Sequence, residues 1–548
     1  MDSVYDRALL EVGDSGIFQK KFDAVYNMGL GALFAMAYMN IVLVLVVIPH
    51  HCKLPAQPEN ISHFEWKEKY LPLSSESSSK KSFSSCLIFK DPDRNNETTA
   101  CEEFEYDDRW YQSTVPSDND WVCDSELNVA NVFAYSRIGE IFGSLLFGWF
   151  GDICGRRLTY IFAITFLTVG RFVSIIGSKS FVIFVIGCII SSLPSWSMMQ
   201  SVTVISMEIS APTRRTTITT IRIVSWSIGV GIMPLLYWWL RTWKLFMMVT
   251  TATVVPFMML SWKMIESPRW LWVSGKPKRC IKLLKTIAHV NHKRLSIETE
   301  QELIRSSTSK NSSTKLNALD LFSSWKLSLN TILQLLLWIT TSLGYTVLLM
   351  TTGEKSDGNP FLEFMWQTVA EVPGNLIGKW LSDSIGRRYT GVTAFSLSGL
   401  MWALIALREN ATTYWIQAWW IGSVFIIINR LSITVAYYVI NMFNMELYPT
   451  CLRQSGMSLC NVVSSGASAV APYLVYLGRR VNAQLPGTIL CIAGIIGIIS
   501  SLLLPETMNA NLPETLEDAR NFGKINSKYH SVQLKEITEP IVENPSIA

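Results

Sequence analysis

The chain has 548 residues, of which 49% are hydrophobic and only 16% are charged. This composition, with a mean hydropathy of +0.26, excludes an ordinary soluble enzyme and indicates a polytopic membrane protein. The formal net charge of +4 is small. Its distribution along the chain is more informative, because Lys and Arg gather in cytoplasmic loops.

The start of the chain predicts a cytoplasmic segment and then a first membrane helix. Residues 1–21 are mixed and polar, without a short apolar core and a cleavage site, so we expect no cleaved signal peptide. The apolar stretch 22–48 is long enough to cross a bilayer. It is predicted to be the first transmembrane helix.

The loop 49–128 has the features of an extracellular domain. It holds a serine-rich tract and sequons at Asn60 and Asn96, where we expect glycans. Residues 50–125 contain fifteen Asp/Glu and eight Lys/Arg, whereas residues 265–327 contain twelve Lys/Arg and five Asp/Glu. The positive-inside rule therefore places the first loop outside and the second inside.

Four cysteines of this loop predict two disulfides, since an extracellular domain of this size is commonly stapled in this way. They allow three pairings, and we favour Cys52 with Cys123 at the two ends and Cys86 with Cys101 inside. A zinc site is the weaker interpretation, because no CxxC or HxxxH spacing accompanies them.

Eleven further apolar runs follow, each suited to one membrane crossing. They lie near 129–150, 158–177, 180–206, 217–239, 245–264, 328–351, 361–382, 391–408, 413–443, 454–477 and 485–504. The chain is thus divided into an N-terminal half at 22–264, a charged cytoplasmic linker at 265–327, a C-terminal half at 328–505 and a cytoplasmic tail at 506–548. Both termini are predicted to be inside.

The two halves share a repeated motif. The pattern G-x5-W-x2-D-x2-G-R-R occurs at Gly143 to Arg157 and again at Gly374 to Arg388, an offset of 231 residues. Two further pairs of markers recur in the same order: Glu208 to Arg215 with Glu446 to Arg453, and Glu266-Ser267-Pro268 with Glu506-Thr507. One copy could be a capped helix and a basic loop, but three markers in register indicate internal duplication, as in transporters built from parallel halves.

Several segments resemble one transporter family. They are the Cys-bearing loop, TRR at 213–215, ESPRWL at 266–271, ELYPT at 446–450, and LPET at 504–507 and 512–515. Together they resemble the organic cation, organic anion and carnitine transporters of the major facilitator superfamily. The resemblance implies an all-α membrane protein with twelve transmembrane helices in two pseudo-symmetric six-helix bundles. It also implies a central site that opens alternately to either side of the plasma membrane, in a protein that works as a monomer.

Charged residues at the cytoplasmic ends of the spans are candidates for a gate. They could form ion-pair networks that hold the outward-facing state and break when the halves rock. The alternative is a set of static helix caps that obey the positive-inside rule. The residues are Asp152, Arg156, Arg157, Glu208, Arg214 and Arg215 in the first half, and Asp383, Arg387, Arg388, Glu446 and Arg453 in the second.

Enzyme chemistry is not expected. All six histidines fall outside the predicted membrane core, so no metal site or histidine relay is predicted there. There is no Walker loop for ATP, so the driving force would come from a gradient or from exchange. We expect no cofactor and no nucleic-acid partner.

Glu371 is the first candidate for the substrate site. It lies inside the eighth predicted span, where an isolated carboxylate costs about 2.5–3.5 kcal/mol unless it faces a cavity or a partner. Pro373 and Gly374 loosen the helix nearby. The alternative is a structural ion pair with Arg430 or Lys379.

Aromatic residues within the spans are candidates because cation sites are commonly aromatic boxes. The resemblance points to Tyr345 in the seventh span, and Trp226, Trp338, Tyr437 and Tyr438 are further candidates whose alternative is packing. Ser465 stands where cation transporters of the family tend to have Asp and anion or carnitine transporters Arg. The residue at this position therefore does not indicate the charge of the substrate.

A second departure from the family is the pair Arg137 and Glu140, which we expect to neutralise each other at i, i+3, with a site role as the minority interpretation. The sequence as a whole predicts a carrier of small organic cations or zwitterions. The alternatives are an organic anion carrier of the same family and a sensor that binds a solute without moving it.

Overall fold

The structure is a computed structural model. It describes residues 4–58, 62–73, 83–91, 97–194, 196–211, 214–308, 321–351, 359–408, 419–448 and 452–508. The expected glycosylation sites Asn60 and Asn96 lie outside these residues, as does most of the expected cytoplasmic tail.

Twelve helical segments, here named spans 1 to 12, form the body of the protein. Spans 1 to 6 are Ile17–Val44, Leu127–Cys154, Arg156–Ile176, Phe181–Glu208, Arg215–Leu240 and Trp243–Lys263. Spans 7 to 12 are Trp325–Thr351, Pro360–Val369 continued by Glu371–Ile385, Arg387–Arg408, Trp419–Leu447, Arg453–Arg480 and Leu485–Leu503. Ten of them are long and apolar enough to cross a membrane, and the other two, spans 2 and 8, carry charged residues of the repeated motif. The expected fold class is confirmed.

The glycines of the motif lie where any side chain would strain the backbone or clash with a neighbouring helix. Gly155 and Gly386 turn the chain between spans 2 and 3 and between spans 8 and 9, with φ of +97° and +88°, where other residues are strained. Gly143 brings span 2 against span 4: a Cβ there would lie 1.7 Å from the carbonyl oxygen of Leu193. The motif therefore fixes both a tight turn and a close helix contact.

Short helices cover the end of the body that is predicted to be cytoplasmic. The N-terminal helix Val4–Val12 packs on the linker helices Pro277–Val290 and Ile297–Thr308. Its Glu11 accepts hydrogen bonds from the backbone and hydroxyl of Ser296. A further short helix, Pro268–Val273, follows span 6.

The extracellular loop between spans 1 and 2 is folded around two antiparallel strand pairs. Strand β1 (His50–Cys52) pairs with β4 (Phe104–Tyr106), and β2 (Leu87–Phe89) pairs with β3 (Thr98–Ala100). The described part of the loop also holds short helical segments at His63–Tyr70, Val115–Asp118 and Cys123–Ser125.

The disulfides of the loop correct the favoured pairing. They join Cys52 to Cys101 and Cys86 to Cys123, with Cα–Cα distances of 5.4 and 5.7 Å. The reason is the register of the first strand pair, which places Cys52 opposite Phe104 and so beside Cys101. His50, Cys86 and Cys123 lie close enough together for a metal site. Because the two sulfurs are bonded to each other, they are not thiolate ligands.

The two halves meet along two helix pairs. Span 2 packs along span 11, and span 5 packs along span 8. Within the first half, span 1 approaches span 5 closely, since a Cβ on Gly229 would lie 2.1 Å from the carbonyl oxygen of Ala32. These five spans border the centre of the molecule, where the candidate site lies.

Candidate substrate site

The second copy of the motif forms a charge network at the cytoplasmic end of the C-terminal half. Arg387 Nη2 lies 3.0 Å from Glu446 Oε1, and Asp383 is a more distant partner at 3.8 Å. Glu506 accepts hydrogen bonds from the backbone N–H groups of Arg387 and Arg388 at 2.9 and 3.0 Å. The free N–H groups at the start of a helix and the helix dipole both stabilise such a carboxylate.

The N-terminal half repeats this arrangement. Glu266 accepts hydrogen bonds from the backbone N–H groups of Arg156 and Arg157 at 2.9 and 3.2 Å. Glu208 accepts a short hydrogen bond from the hydroxyl of Ser267. The recurring markers therefore have one function in both halves: the glutamate after the last span caps the helix that begins with the motif arginine. The recurrence of a glutamate after the last span of each half was visible in the sequence, but it did not indicate that Glu266 and Glu506 cap helices.

The remaining gate candidates are placed less centrally. Arg214 Nη2 lies 2.8 Å from Asp23 Oδ2 of span 1, and Arg215 is exposed at the start of span 5. The side chains of Asp152 and Arg453 lie outside the described part of the structure. Each contact given above joins residues of the same half, so their role in holding an outward-facing state stays a prediction.

A group of polar contacts between the halves lies at the end of the spans that is predicted to be extracellular. Arg479 Nη1 of span 11 lies 2.8 Å from Glu126 Oε1, next to the start of span 2, and Arg480 Nε lies 3.3 Å from Glu126 Oε2. One helix turn deeper, the Tyr473 hydroxyl donates to Asn131 Oδ1 at 2.9 Å. With the predicted topology, bridged outer ends together with networks confined to each half at the inner ends are the pattern expected of an inward-facing conformation.

Glu371 lies in the centre and is paired. Its Oε1 lies 2.5 Å from Arg430 Nη2 and accepts a hydrogen bond from the Tyr345 hydroxyl at 3.1 Å. Ser227 of the other half lies 3.5 Å from Oε2. The guanidinium of Arg430 also lies 4.0 Å from the ring centre of Tyr345. The geometry is that of the alternative interpretation, an ion pair with Arg430, whereas Lys379 is exposed.

A second ion pair lies in the N-terminal half. Arg137 Nη1 lies 2.8 Å from both carboxylate oxygens of Glu140, as the i, i+3 spacing predicts. The Tyr38 hydroxyl donates a short hydrogen bond to Glu140. Ser465 of the other half lies 3.4 Å from Glu140 Oε2.

Two groups of aromatic rings flank these pairs. Trp226 has its ring centre 4.7 Å from that of Trp196, and both pack near Tyr38. In the C-terminal half, Tyr437 lies 5.9 Å from Trp338 and 5.5 Å from Tyr345. Trp226, Trp338, Tyr345 and Tyr437 are thus brought together around the two pairs.

Tyr438 is not brought to this centre. It packs against Gly378 and faces the cytoplasmic network of Arg387 and Glu446. Four other residues of the centre were missed in the sequence: Tyr38, Trp196, Ser227 and Arg222. Of these, Arg222 carried a signal, a lone charge inside a predicted span. It is partly buried, one turn before Trp226, and no described residue pairs with it.

Known proteins share this sequence pattern. A family model described as "Sugar (and other) transporter" matches residues 78–518. Mouse solute carrier family 22 member 7 is 26% identical, over 95% of this chain and 98% of its own. Human organic cation/carnitine transporter 2 is 26% identical over 76% and 73%, and bovine solute carrier family 22 member 1 is 25% identical over 98% and 97%.

The fold is shared with a sugar transporter. The E. coli xylose transporter XylE, in a partially occluded inward-open conformation, aligns with a TM-score of 0.58 over 90% of this chain and 99% of its own, at 16% identity. That likeness concerns the fold alone. The family model covers most of the chain, and the relatives confirm the resemblance expected from the motifs. The chain belongs to the sugar (and other) transporter family, with the fold of the major facilitator superfamily, and it resembles the organic cation, organic anion and carnitine transporters.

Proposed function

We propose that this protein moves small organic cations or zwitterions across the plasma membrane by alternating access. The observation that supports this best is the set of aromatic rings from both halves, which surround two carboxylates, Glu140 and Glu371, whose charges are each balanced by an arginine. Carboxylates and aromatic faces attract ammonium groups, most strongly where water is excluded. The relatives named for organic cation and carnitine transport favour the same substrate classes.

The packing of the two halves supports alternating access. Each half has a charge network and a capped helix of its own at the cytoplasmic end, which stiffens it as a unit. The outer ends are joined by a few polar contacts around Glu126 and Tyr473. Exchanging those contacts for others at the inner ends would let the halves rock about the central site.

One observation favours a second candidate, an organic anion carrier. Arg222 lies one turn from Trp226 without a described ion partner, so an anionic group could bind beside it. Arg137 and Arg430, in contrast, are each neutralised by a carboxylate, so neither adds a net positive charge that would favour a simple anion.

Uptake separates these functions. Cells that express the protein are given radiolabelled cationic, zwitterionic and anionic probes of similar size, with mock-transfected cells as the control. We expect saturable uptake of cations or zwitterions. Uptake of anions alone would overturn the proposal in favour of the second candidate.

A sensor is tested in a purified system. The protein is reconstituted in liposomes that are preloaded with an unlabelled probe, and entry of the labelled probe is followed. A carrier gives counterflow, because substrate exchange drives the labelled probe inward. Binding of the probe without counterflow would identify a non-transporting sensor.

A further inference from the structure

Glu140 and Glu371 occupy equivalent positions of the duplicated halves. They are 231 residues apart, the offset of the two motif copies, and each lies three residues before a motif glycine, Gly143 or Gly374. Both glutamates are buried, in spans 2 and 8. The internal symmetry of the protein therefore places one carboxylate from each half at its centre.

The surroundings of the two carboxylates also match. Glu140 accepts a hydrogen bond from Tyr38 of span 1, and Glu371 accepts one from Tyr345 of span 7, the first span of its half. A serine of the opposite half approaches each of them, at 3.4 Å and 3.5 Å respectively. The two carboxylates thus form corresponding parts of one site at the boundary between the halves.

The arginines that neutralise them occupy non-equivalent positions in the two halves. Arg137 is three residues before Glu140 in span 2, and the equivalent residue of the second half is Thr368. Arg430 comes from span 10 instead. The result is nevertheless the same in both halves: a buried carboxylate is paired with a guanidinium.

Both arginines have N–H groups without a described hydrogen-bond partner. Of the N–H groups of Arg137, only those on Nη1 donate to Glu140, and the side chain of Arg137 is 19% exposed. Arg430 is 1% exposed, and its buried Nε and Nη1 have no described hydrogen-bond partner. The Tyr437 ring lies 5.5 Å from that of Tyr345, over which the Arg430 guanidinium packs at 4.0 Å. The partner of Arg137, Glu140, is approached by Ser465 of the opposite half, so both arginines border the boundary between the halves.

We infer that Arg137 determines substrate specificity: its free N–H groups, together with those of Arg430, bind the carboxylate of a zwitterion whose ammonium group contacts the aromatic rings. This inference rests on the proposed function and narrows its substrate class. A carboxylate accepts charge-assisted hydrogen bonds from these donors. A simple cation leaves them unpaired, and a site with buried unpaired polar groups discriminates against such a substrate.

Two probes that differ only in the carboxylate test the inference. They are 4-(trimethylammonio)butyrate and its methyl ester, which has the same ammonium group but no negative charge. In the unaltered protein we expect a lower KM for the zwitterion. In Arg137→Gln/Glu140→Gln, which keeps the net charge, we expect the KM of the zwitterion to rise about tenfold or more, as the loss of a charge-assisted hydrogen bond implies. The KM of the ester should change less than about twofold.

A matched control removes an ion pair far from the centre. Lys53 and Glu103 form an exposed pair in the extracellular loop, so Lys53→Gln/Glu103→Gln should leave both KM values unchanged. The amount of each variant at the cell surface is measured by biotinylation. If the central double variant does not reach the surface, Arg137→Lys replaces it, since it keeps the charge and loses the planar set of donors.

The outcomes separate the two proposals. If the unaltered protein takes up neither probe, the proposed function fails. If it takes up both and the Arg137 variants weaken both equally, or neither, the inference alone is overturned. It is also overturned if Arg222→Gln, rather than an Arg137 variant, removes the preference for the zwitterion.

Discussion

The ion pair of Glu371 changes what a substitution there should do. Glu371 is 7% exposed and Arg430 1% exposed, with 2.5 Å between Oε1 and Nη2. Taken alone, a carboxylate in an apolar span contributes negative potential to a cavity. Paired in this way it mainly compensates a buried guanidinium, so its removal leaves a charge uncompensated.

We therefore expect Glu371→Gln to destabilise the folded protein by about 3–5 kcal/mol. The double variant Glu371→Gln/Arg430→Gln should regain much of that loss, because no buried charge then lacks a partner. Thermal unfolding of the detergent-purified proteins measures both effects. If the loss of stability in the double variant equals the sum of the losses in the two single variants, Glu371 and Arg430 are not coupled, since independent sites give additive changes in stability.

His50 makes the extracellular loop sensitive to pH. Burial lowers the pKa of His50, although a hydrogen bond with the Ile48 carbonyl and the charge of Glu126 act in the opposite direction. A histidine with a lowered pKa binds fewer protons when folded than when unfolded. Its contribution to stability is therefore present above about pH 6.5, the ordinary value, and is lost as the pH falls below it.

The expected result is a loop that is cleaved faster by protease on intact cells at pH 5.5 than at pH 7.5. In His50→Gln, this difference should shrink, because glutamine does not titrate in this range. A protease that works across this pH range, calibrated on an unstructured peptide, measures the rates. An unchanged difference in the variant would assign the effect to another group.

At the scale of elements, the disulfides close long segments of the loop. Cys52–Cys101 spans 49 residues and Cys86–Cys123 spans 37. By the chain-entropy estimate, each contributes roughly 4 kcal/mol to the stability of the loop. Because Cys123 lies just before span 2, its bond fixes the folded loop to the start of that span.

Peptide mapping without reduction should find Cys52 linked to Cys101 and Cys86 linked to Cys123. Replacing both members of one pair should lower surface expression and leave the other link intact. Replacing Cys123 alone should expose the thiol of Cys86 to a membrane-impermeant maleimide. Labelling of Cys52 instead would support the pairing favoured from the sequence, Cys52 with Cys123.

The cap of span 9 is a second element whose contribution to the stability of the fold can be measured. Glu506 accepts the backbone N–H groups of Arg387 and Arg388, so Glu506→Ala leaves both donors without their acceptor. We expect a loss of about 0.5–2 kcal/mol in stability, the usual range for a helix cap. Glu266→Ala removes the equivalent cap of span 3 and should cost a similar amount in thermal unfolding. A loss confined to one of the two variants would contradict the equivalence of the halves.

For the molecule as a whole, the sequence predicted the architecture but only part of the site. Apolar runs of membrane length and the repeated motif were sufficient to predict twelve spans in two halves. Disulfide pairing depended on the strand register at Cys52, which no spacing reveals. Tyr437 and Tyr438 are sequence neighbours, yet they point about 100° apart on a helix, so only one of them reaches the centre. The partner of Glu371 likewise depended on the face that span 10 presents.

The outer contacts between the halves predict how the conformational equilibrium responds to a substitution. Glu126 is shared by Arg479 and Arg480 at 2.8 and 3.3 Å, while all three side chains remain partly exposed. A partly exposed pair of this kind is worth up to about 1 kcal/mol. Glu126→Gln should therefore shift the populations of the two states by up to about fivefold toward the outward-facing state.

Hydrogen–deuterium exchange measures this shift. Backbone exchange in Glu126→Gln should rise at the outer ends of spans 2 and 11 and fall at their cytoplasmic ends, because opening one side closes the other. Lys53→Gln/Glu103→Gln is the control, since it removes an ion pair from the extracellular loop that does not join the halves. Exchange that rises throughout the protein would indicate general destabilisation. In that case Glu126 stabilises the fold without controlling which side is open.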